Sequence, residues 1–191
     1  TYYKPQTLDQ YVEYMRQVAA VAPELPFYLY DIDFVTGIPF TAYEFMTAGR
    51  DKIPTLRGLK HTSPDFISMN HILMKHGDYY QLIMGTDEMY LQGLAIGIED
   101  TIMCTWNGNT LNRLKAAFDK GDLVTARKEQ ENALRACDVR RRAGLSIPGG
   151  NKAVLRAMGF PAGQPRSPCG QVTQGQVDSI KKELTEIGFF E

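Results

Sequence analysis

The first 121 residues alternate four times between a short apolar segment and a helical segment, and this alternation constrains the fold more than any other feature. Each apolar segment has the length of a buried strand. The intervening helical segments are long enough to serve as crossovers, so they predict a parallel sheet, whose neighbouring strands cannot be joined by tight hairpins. The predicted strands cover residues 27–30, 56–60, 80–84 and 101–104.

Polar capping residues place the starts of the helices between these strands. Thr7 is expected to cap the first helix, and Thr41 with Glu44 forms a capping box at the second. Ser63 is expected to cap the third. After Gly121 the pattern predicts helices only, over residues 122–142, 151–158 and 173–187.

Two closures of the parallel sheet fit this pattern: an open four-stranded sheet, or half of an eight-stranded barrel. A complete barrel of this kind takes about 250 residues. The chain starts with a helix that no predicted strand precedes, which favours the C-terminal half of a (β/α)8 TIM barrel, strands five to eight. We therefore predict an α/β half-barrel over residues 1–121 and a helical extension packed on it over 122–191.

Composition and motifs exclude several classes of protein. Lysine and arginine number 21 against 22 acidic residues, a balance that argues against nucleic acid as the main partner. No apolar run reaches the roughly 20 residues that span a bilayer, and no G-x-G-x-x-G turn follows a strand. An odd number of scattered cysteines predicts reduced thiols in the cytoplasm, and the histidines lack metal-ligand spacing. These residues are Cys104, Cys137, Cys169, His61, His71 and His76.

Lys60 and Tyr30 are the first candidates for chemistry, because each ends an apolar strand at the edge where such folds place active sites. A lysine held there is partly desolvated, which favours the neutral amine that Schiff-base formation with a ketone requires. A phenol beside that amine can shuttle protons. The alternatives are a lysine that extends to water and a core tyrosine with a hydrogen-bonded tip.

Residues after the strand ends are candidates for substrate binding. Thr62 can orient a carboxylate or carbonyl, and Gly85 permits a ligand to approach closely. Asp87 and Glu88 can accept hydrogen bonds from hydroxyl groups, or can simply cap a helix and complement its dipole. Cys104 ends the fourth predicted strand and would point into the same site.

Several segments follow one another in a distinctive order along the chain. They are Tyr30-Asp31-Ile32 with Thr36-Gly37, residues 51–55 leading into Gly58-Leu59-Lys60, Gly85-x-Asp87-Glu88, Thr105-x-Asn107, and Pro165-Arg166 with Pro168. In these segments the chain resembles the N-acetylneuraminate lyases, which are pyruvate-dependent class I aldolases related to dihydrodipicolinate synthase. Within that family, the glycine followed by an Asp-Glu pair separates the sialic acid branch from the dihydrodipicolinate branch.

The resemblance implies a (β/α)8 barrel with three extra C-terminal helices, in a homotetramer that needs no metal or dissociable cofactor. Lys60 matches the Schiff-base lysine and Tyr30 the proton-relay tyrosine. The residues that match the substrate pocket are Thr62, Gly85, Asp87, Glu88 and Cys104. Three positions depart from the family pattern: Asp33 replaces a proline, Met103 a small residue, and Cys104 a serine.

The predicted function is cleavage of N-acetylneuraminate to pyruvate and N-acetylmannosamine. One alternative is an aldolase for another 2-keto-3-deoxy sugar acid, and a second is a non-catalytic half-barrel remnant that acts as a binding or assembly module. The expected partners are the sugar acid, pyruvate, an N-terminal half-barrel and further copies of the chain, with neither nucleic acid nor membrane. We expect the 191 residues alone not to form a working monomeric enzyme, because half a barrel exposes strand edges.

Overall fold

The computed structural model describes residues 3–191, and the chain divides into two compact units. The first unit contains the residues up to Thr86 together with Ala95–Ile102, and the second contains Asp87–Leu94 together with Met103–Glu191. All three strands belong to the first unit: β1 (Phe27–Asp31), β2 (Leu56–His61) and β3 (Gln81–Met84). The separate division predicted at residue 121, between half-barrel and extension, stays a prediction.

The sheet of the first unit is parallel throughout, with the order β1-β2-β3. Three of the four predicted strands are confirmed to within one residue at each end. The register pairs Tyr30 with Lys60 and Lys60 with Ile83. Because parallel strands end at the same edge of a sheet, the side chains that finish β1 and β2 are neighbours.

The fourth predicted strand is wrong beyond its first residue. Thr101 forms a single parallel bridge with Met84, and no longer ladder follows in the described residues 3–191. The backbone N–H of Cys104 donates instead to the carboxylate of Asp87, and a 3₁₀ helix follows at Thr105–Asn107. This backbone donor is therefore used by a side chain and cannot join a strand ladder.

Four helices accompany the sheet in the first unit: α1 (Leu8–Ala19), α2 (Asp33–Thr36), α3 (Ala42–Gly49) and α4 (Phe66–His76). The caps predicted at Thr7 and Thr41 are confirmed, each as a complete capping box. The cap predicted at Ser63 is wrong, because Asp65 accepts the N–H of Ser68 at 3.0 Å and caps α4. Both residue types are good caps, and Asp65 lies immediately before the helix.

The remaining helices are α5 (Tyr90–Ala95), α6 (Gly108–Asp119), α7 (Leu123–Arg142), α8 (Ile147–Ala157) and α9 (Gln174–Glu186). Two of the three predicted C-terminal helices are confirmed as α7 and α9. The helix predicted from residue 151 begins earlier, because the Ser146 hydroxyl accepts the N–H of Gly149 at 3.2 Å and Pro148 suits a first helical turn. A 3₁₀ helix at Asp87–Met89 precedes α5.

Each unit buries its own apolar side chains. In the first unit the helices pack on the sheet, and fully buried residues include Phe45 and Ile72 from the helices and Leu59 from β2. In the second unit α7, α8 and α9 pack around Trp106, Val154 and Ile180. Across residues 3–191, every helix is too short or too polar to cross a lipid bilayer.

Candidate active site

Lys60 and Tyr30 contact each other at the carboxyl ends of β2 and β1. The Lys60 ammonium nitrogen lies 4.2 Å from the centre of the Tyr30 ring, within the range of a cation–π contact. The Lys60 side chain is half-buried, whereas Tyr30 is 48% exposed. An amine and a phenol are thus held side by side at an accessible edge of the first unit.

Gly85 lies next to both the Lys60 side chain and the Thr62 hydroxyl. A Cβ atom on Gly85 would lie 2.8 Å from Lys60 Cε and would collide with the Thr62 hydroxyl, so only glycine fits there without displacement. The backbone is fixed at this point because Gly85 N–H donates to the His61 carbonyl at 2.8 Å. Thr62 Oγ1 is buried and has no hydrogen-bond partner within residues 3–191. Such a hydroxyl is available to a bound carboxylate or carbonyl.

Two carboxylates link the same strand ends, and the sequence predicted no role for either of them. Asp31 Oδ2 lies 2.7 Å from Nδ1 of His61, which is fully buried. The Ser63 hydroxyl donates to Asp33 Oδ2 at 2.8 Å. His61 is therefore a core histidine, but it has an acidic partner on the neighbouring strand. The one signal in the sequence is a constant offset of thirty positions between the partners.

Asp87 lies in the second unit as part of a buried polar cluster. Its Oδ1 accepts the backbone N–H of Cys104 and its Oδ2 accepts Nδ2–H of Asn107, both at 3.1 Å. Burial raises the pKa of the Asp87 carboxyl, and these bonds offset only part of that effect. The cluster holds the turn that follows Thr101, so Asp87 has a structural role alongside any contact with a ligand.

Glu88 forms an ion pair with Arg141 in the second unit. Its side chain is 18% exposed, and Arg141 Nη2 donates to its Oε1. Arg141 also donates to Asp138 at 2.6 Å through Nη1. The sequence predicted either sugar binding or helix capping for this acidic pair, and neither prediction included the ion-pair partner of Glu88, which lies 53 positions away.

Cys104 is the partly buried thiol of the same cluster. Burial, together with the nearby Asp87 carboxylate, raises the pKa of Cys104 to about 12, so it remains a neutral thiol at physiological pH. It can donate a weak hydrogen bond but does not provide a thiolate nucleophile. The serine that the resemblance places here would be a stronger donor.

The structure thus brings the predicted residues together in two groups. Lys60, Tyr30, Thr62 and Gly85 meet in the first unit. Asp87 and Cys104 meet in the second unit, where Glu88 follows in the same 3₁₀ helix.

Metal-binding side chains are not clustered in the part of the chain that the structure describes. Within residues 3–191, no group of three or more His, Cys, Asp or Glu residues could hold a metal ion. His71 is exposed and lies 5.1 Å from the Tyr43 ring, measured between ring centres. His76 contacts Arg50 at 3.2 Å and Thr47 at 3.3 Å. The last two histidines therefore have ordinary protein contacts.

A family model and curated relatives match the chain over nearly its whole length. Residues 1–187 match the model of the dihydrodipicolinate synthetase family. N-acetylneuraminate lyase from Mus musculus is 30% identical over 191 residues, which cover 98% of this chain and 60% of the relative. The enzyme of the same name from Rattus norvegicus has the same identity and coverage. The chain spans about three fifths of the length of these relatives.

Solved structures share the fold at similar identity. Proteus mirabilis N-acetylneuraminate lyase is 27% identical, with a TM-score of 0.88 over 97% of this chain and 62% of that one. The native N-acetylneuraminate lyase, or sialic acid aldolase, of Aliivibrio salmonicida is 25% identical, also with a TM-score of 0.88, over 98% of this chain and 62% of that one.

Proposed function

The chain belongs to the dihydrodipicolinate synthetase family, and on that premise we propose that it is the C-terminal half-barrel of a Schiff-base aldolase that cleaves N-acetylneuraminate. The products would be pyruvate and N-acetylmannosamine. The order in which the resembling segments follow one another supports the assignment to barrel strands five to eight. We further propose that the working protein is a homotetramer, as the resemblance implies, and cytoplasmic, as its scattered cysteines predict.

The observation that carries this proposal is the contact between Lys60 and Tyr30. The Lys60 nitrogen, the proposed nucleophile, lies 4.2 Å from the ring centre of Tyr30, the proposed proton carrier. Gly85 leaves room directly beside Lys60, and the Thr62 hydroxyl next to it lacks a partner within residues 3–191. A 2-keto acid bound there would meet the amine with its ketone and the hydroxyl with its polar groups.

The proposed reaction uses only side chains of the protein. The neutral Lys60 amine attacks the C2 ketone, and loss of water gives an iminium ion. Tyr30 gives its proton to the departing water and is left as phenolate, which then takes the proton of the C4 hydroxyl. The C3–C4 bond breaks, its electron pair moves toward the iminium to give an enamine, and C4 becomes the aldehyde of the amino sugar. Protonation at C3 and hydrolysis then release pyruvate and restore the amine.

The second group of residues is proposed to bind the polyhydroxy chain of the sugar. Carboxylate oxygens of Asp87 and Glu88 would accept hydrogen bonds from hydroxyl groups. Asp87→Asn and Glu88→Gln should then each weaken cleavage by roughly 1–3 kcal/mol of transition-state binding. Trapping of pyruvate should barely change, because pyruvate has no such chain. Equal loss of both activities would mean that the two residues serve only the fold.

Borohydride trapping tests the lysine assignment in the complete protein. Reduction in the presence of pyruvate should add one reduced pyruvoyl unit to the peptide that contains Lys60. Lys60→Arg should abolish the adduct, because a guanidinium stays protonated and cannot attack. Lys52→Arg is the matched control, since Lys52 is paired with Asp9 at 2.8 Å on the surface. An adduct on another lysine, or turnover without one, would refute the assignment.

A second candidate substrate is another 2-keto-3-deoxy sugar acid, and two observations support it. Cys104 is a weaker hydrogen-bond donor than serine, and Glu88 already has Arg141 as a partner. Both features make this group of residues less suited to a long polyhydroxy chain. Comparing kcat/KM for sialic acid with that for shorter sugar acids would decide between the candidates. A non-catalytic half-barrel would give no adduct and no turnover with any of them.

A further inference from the structure

The strand ends that carry Tyr30 and Lys60 are joined by three pairs of residues, each thirty positions apart. After the Tyr30–Lys60 contact come the bond of 2.7 Å between Asp31 and His61 and the bond of 2.8 Å between Ser63 and Asp33. These two bonds define the cross-strand clamp. The backbone N–H of Thr62 also donates to the Asp31 carbonyl at 2.8 Å. The two chain segments are thus linked side chain to side chain at the last paired residues of the sheet, Asp31 and His61, and again two positions beyond them.

The Asp31–His61 pair lies on the other face of the sheet from the Lys60 amine, because successive side chains of a strand point to opposite faces. His61 is fully buried, and the Asp31 side chain is only 16% exposed. Any influence on the chemistry must pass through the backbone of β1 and β2.

The donor and acceptor atoms of the clamp follow from the chemistry of its side chains. A carboxylate only accepts, so Nδ1 of His61 supplies the proton in its bond to Asp31. Asparagine places an amide N–H close to the position of Nδ1, whereas leucine fills similar space without a donor. Asp33 stands where the family has proline, and it accepts both the Ser63 hydroxyl and the backbone N–H of Phe34 at 2.7 Å.

We infer that Asp31, His61, Asp33 and Ser63 are positioning residues that keep Tyr30 in register with Lys60 during carbon–carbon bond cleavage. The inference rests on the proposed function. Borohydride captures each imine once it has formed, so trapping at saturating pyruvate tolerates slow proton transfer, whereas every cleavage cycle needs Tyr30 at the C4 hydroxyl. Displacing a catalytic group by about 1 Å can cost about 100-fold in rate. Loss of the clamp should therefore reduce cleavage far more than trapping.

Four variants of the complete protein separate this role from ordinary stabilisation. His61→Leu removes the first bond of the clamp, and His61→Asn retains a donor to Asp31. Ser63→Ala removes the second bond with little change in volume, which guards against a failure of His61→Leu to fold. Thr7→Ala is the matched control, because it breaks the capping box of α1 in the same unit, away from the strand ends. Loss of such a cap costs about 0.5–2 kcal/mol of stability.

The readouts are borohydride trapping of Lys60 by pyruvate, kcat and KM for sugar-acid cleavage, and crystal structures of the parent and the clamp variants. For His61→Leu we expect trapping at saturating pyruvate to stay within about threefold of the parent, while kcat falls about 10- to 100-fold. KM should change less than kcat. Ser63→Ala should show the same split, more weakly, and His61→Asn should recover most of kcat. Thr7→Ala should change neither trapping nor kcat per folded molecule.

The inference would be overturned by an unchanged kcat in both His61→Leu and Ser63→Ala, or by losses of trapping and kcat in equal proportion. Failure of the parent protein to form a Lys60 adduct would refute the proposed function instead. In that case the crystal structures of the parent and the clamp variants would still test whether the clamp positions Tyr30. The distance from Lys60 Nζ to the Tyr30 ring centre should increase from 4.2 Å in His61→Leu, and an unchanged distance would overturn it.

Discussion

Replacing Gly85 by alanine tests the packing around Lys60 with a single added methyl group. The new Cβ would lie 2.8 Å from Lys60 Cε and 3.0 Å from the His61 carbonyl oxygen, and it would collide with the Thr62 hydroxyl. An ordinary contact between carbon atoms is about 3.5–4.0 Å. The Lys60 side chain must therefore retreat by about 1 Å, or the backbone of the strand end must shift.

Both effects can be measured. A displacement of about 1 Å corresponds to about a 100-fold lower rate of Schiff-base formation with pyruvate. Overpacking of this kind costs typically about 1–3 kcal/mol of the free energy of unfolding. Trapping rates under borohydride and urea titrations of the same variant give the two numbers. Gly175→Ala is the control, because a Cβ there meets no atom within 4 Å and the residue lies in the first turn of α9.

The reasoning would be refuted by one combination of results in particular. If Gly85→Ala traps pyruvate at the parent rate while its stability falls, the added methyl group strains the fold but does not displace the lysine. If Gly175→Ala slows trapping as much as Gly85→Ala does, the effect is not local to Lys60.

Burial raises the pKa of Asp87 above its ordinary value of 3.8, so the stability linked to its protonated form is complete below that value and is lost as the pH rises through the folded-state pKa. Urea titrations from about pH 4 to about pH 7 should show Asp87→Asn gaining stability relative to the parent, and a difference that does not vary with pH would contradict this. Iodoacetamide at about pH 8 should alkylate Cys169 well before Cys104, because a thiol with a pKa of about 12 is almost wholly protonated; equal rates by peptide mapping would count against the burial of Cys104. Asp65→Ala should lower the free energy of unfolding by about 0.5–2 kcal/mol, since Asp65 and not Ser63 caps α4, and urea titration measures the loss.

The features that could be predicted from the sequence are those set by neighbours along the chain. The capping boxes at Thr7 and Thr41 depend on a residue three positions later, and both are present. The three strands that form are apolar runs between turns, and the helices between them made a parallel sheet the natural expectation. The prediction of Tyr30 next to Lys60 followed from that parallel arrangement, and their contact agrees with it.

The features that were missed depend on partners far along the chain. The Asp87 carboxylate accepts the backbone N–H of Cys104, 17 positions away. This bond ends the fourth strand that the apolar sequence of residues 101–104 favours. Arg141 reaches Glu88 from 53 positions away. His61 has no acidic neighbour at helical spacing, because its partner is Asp31 on another strand. Local sequence pattern does not show which polar side chains far apart in the chain will pair, so these contacts required the structure.

The pairing of Asp31 with His61 and of Asp33 with Ser63 also bears on how these positions can change during evolution. Removing one member leaves the other as a polar group without its partner, and for a buried group this costs about 1–3 kcal/mol. A lineage that replaces His61 first would pass through a less stable intermediate, whereas a joint replacement of both members avoids it. Substitutions at these positions should therefore occur in pairs, and Asp33 should give way to proline most readily once Ser63 no longer depends on it.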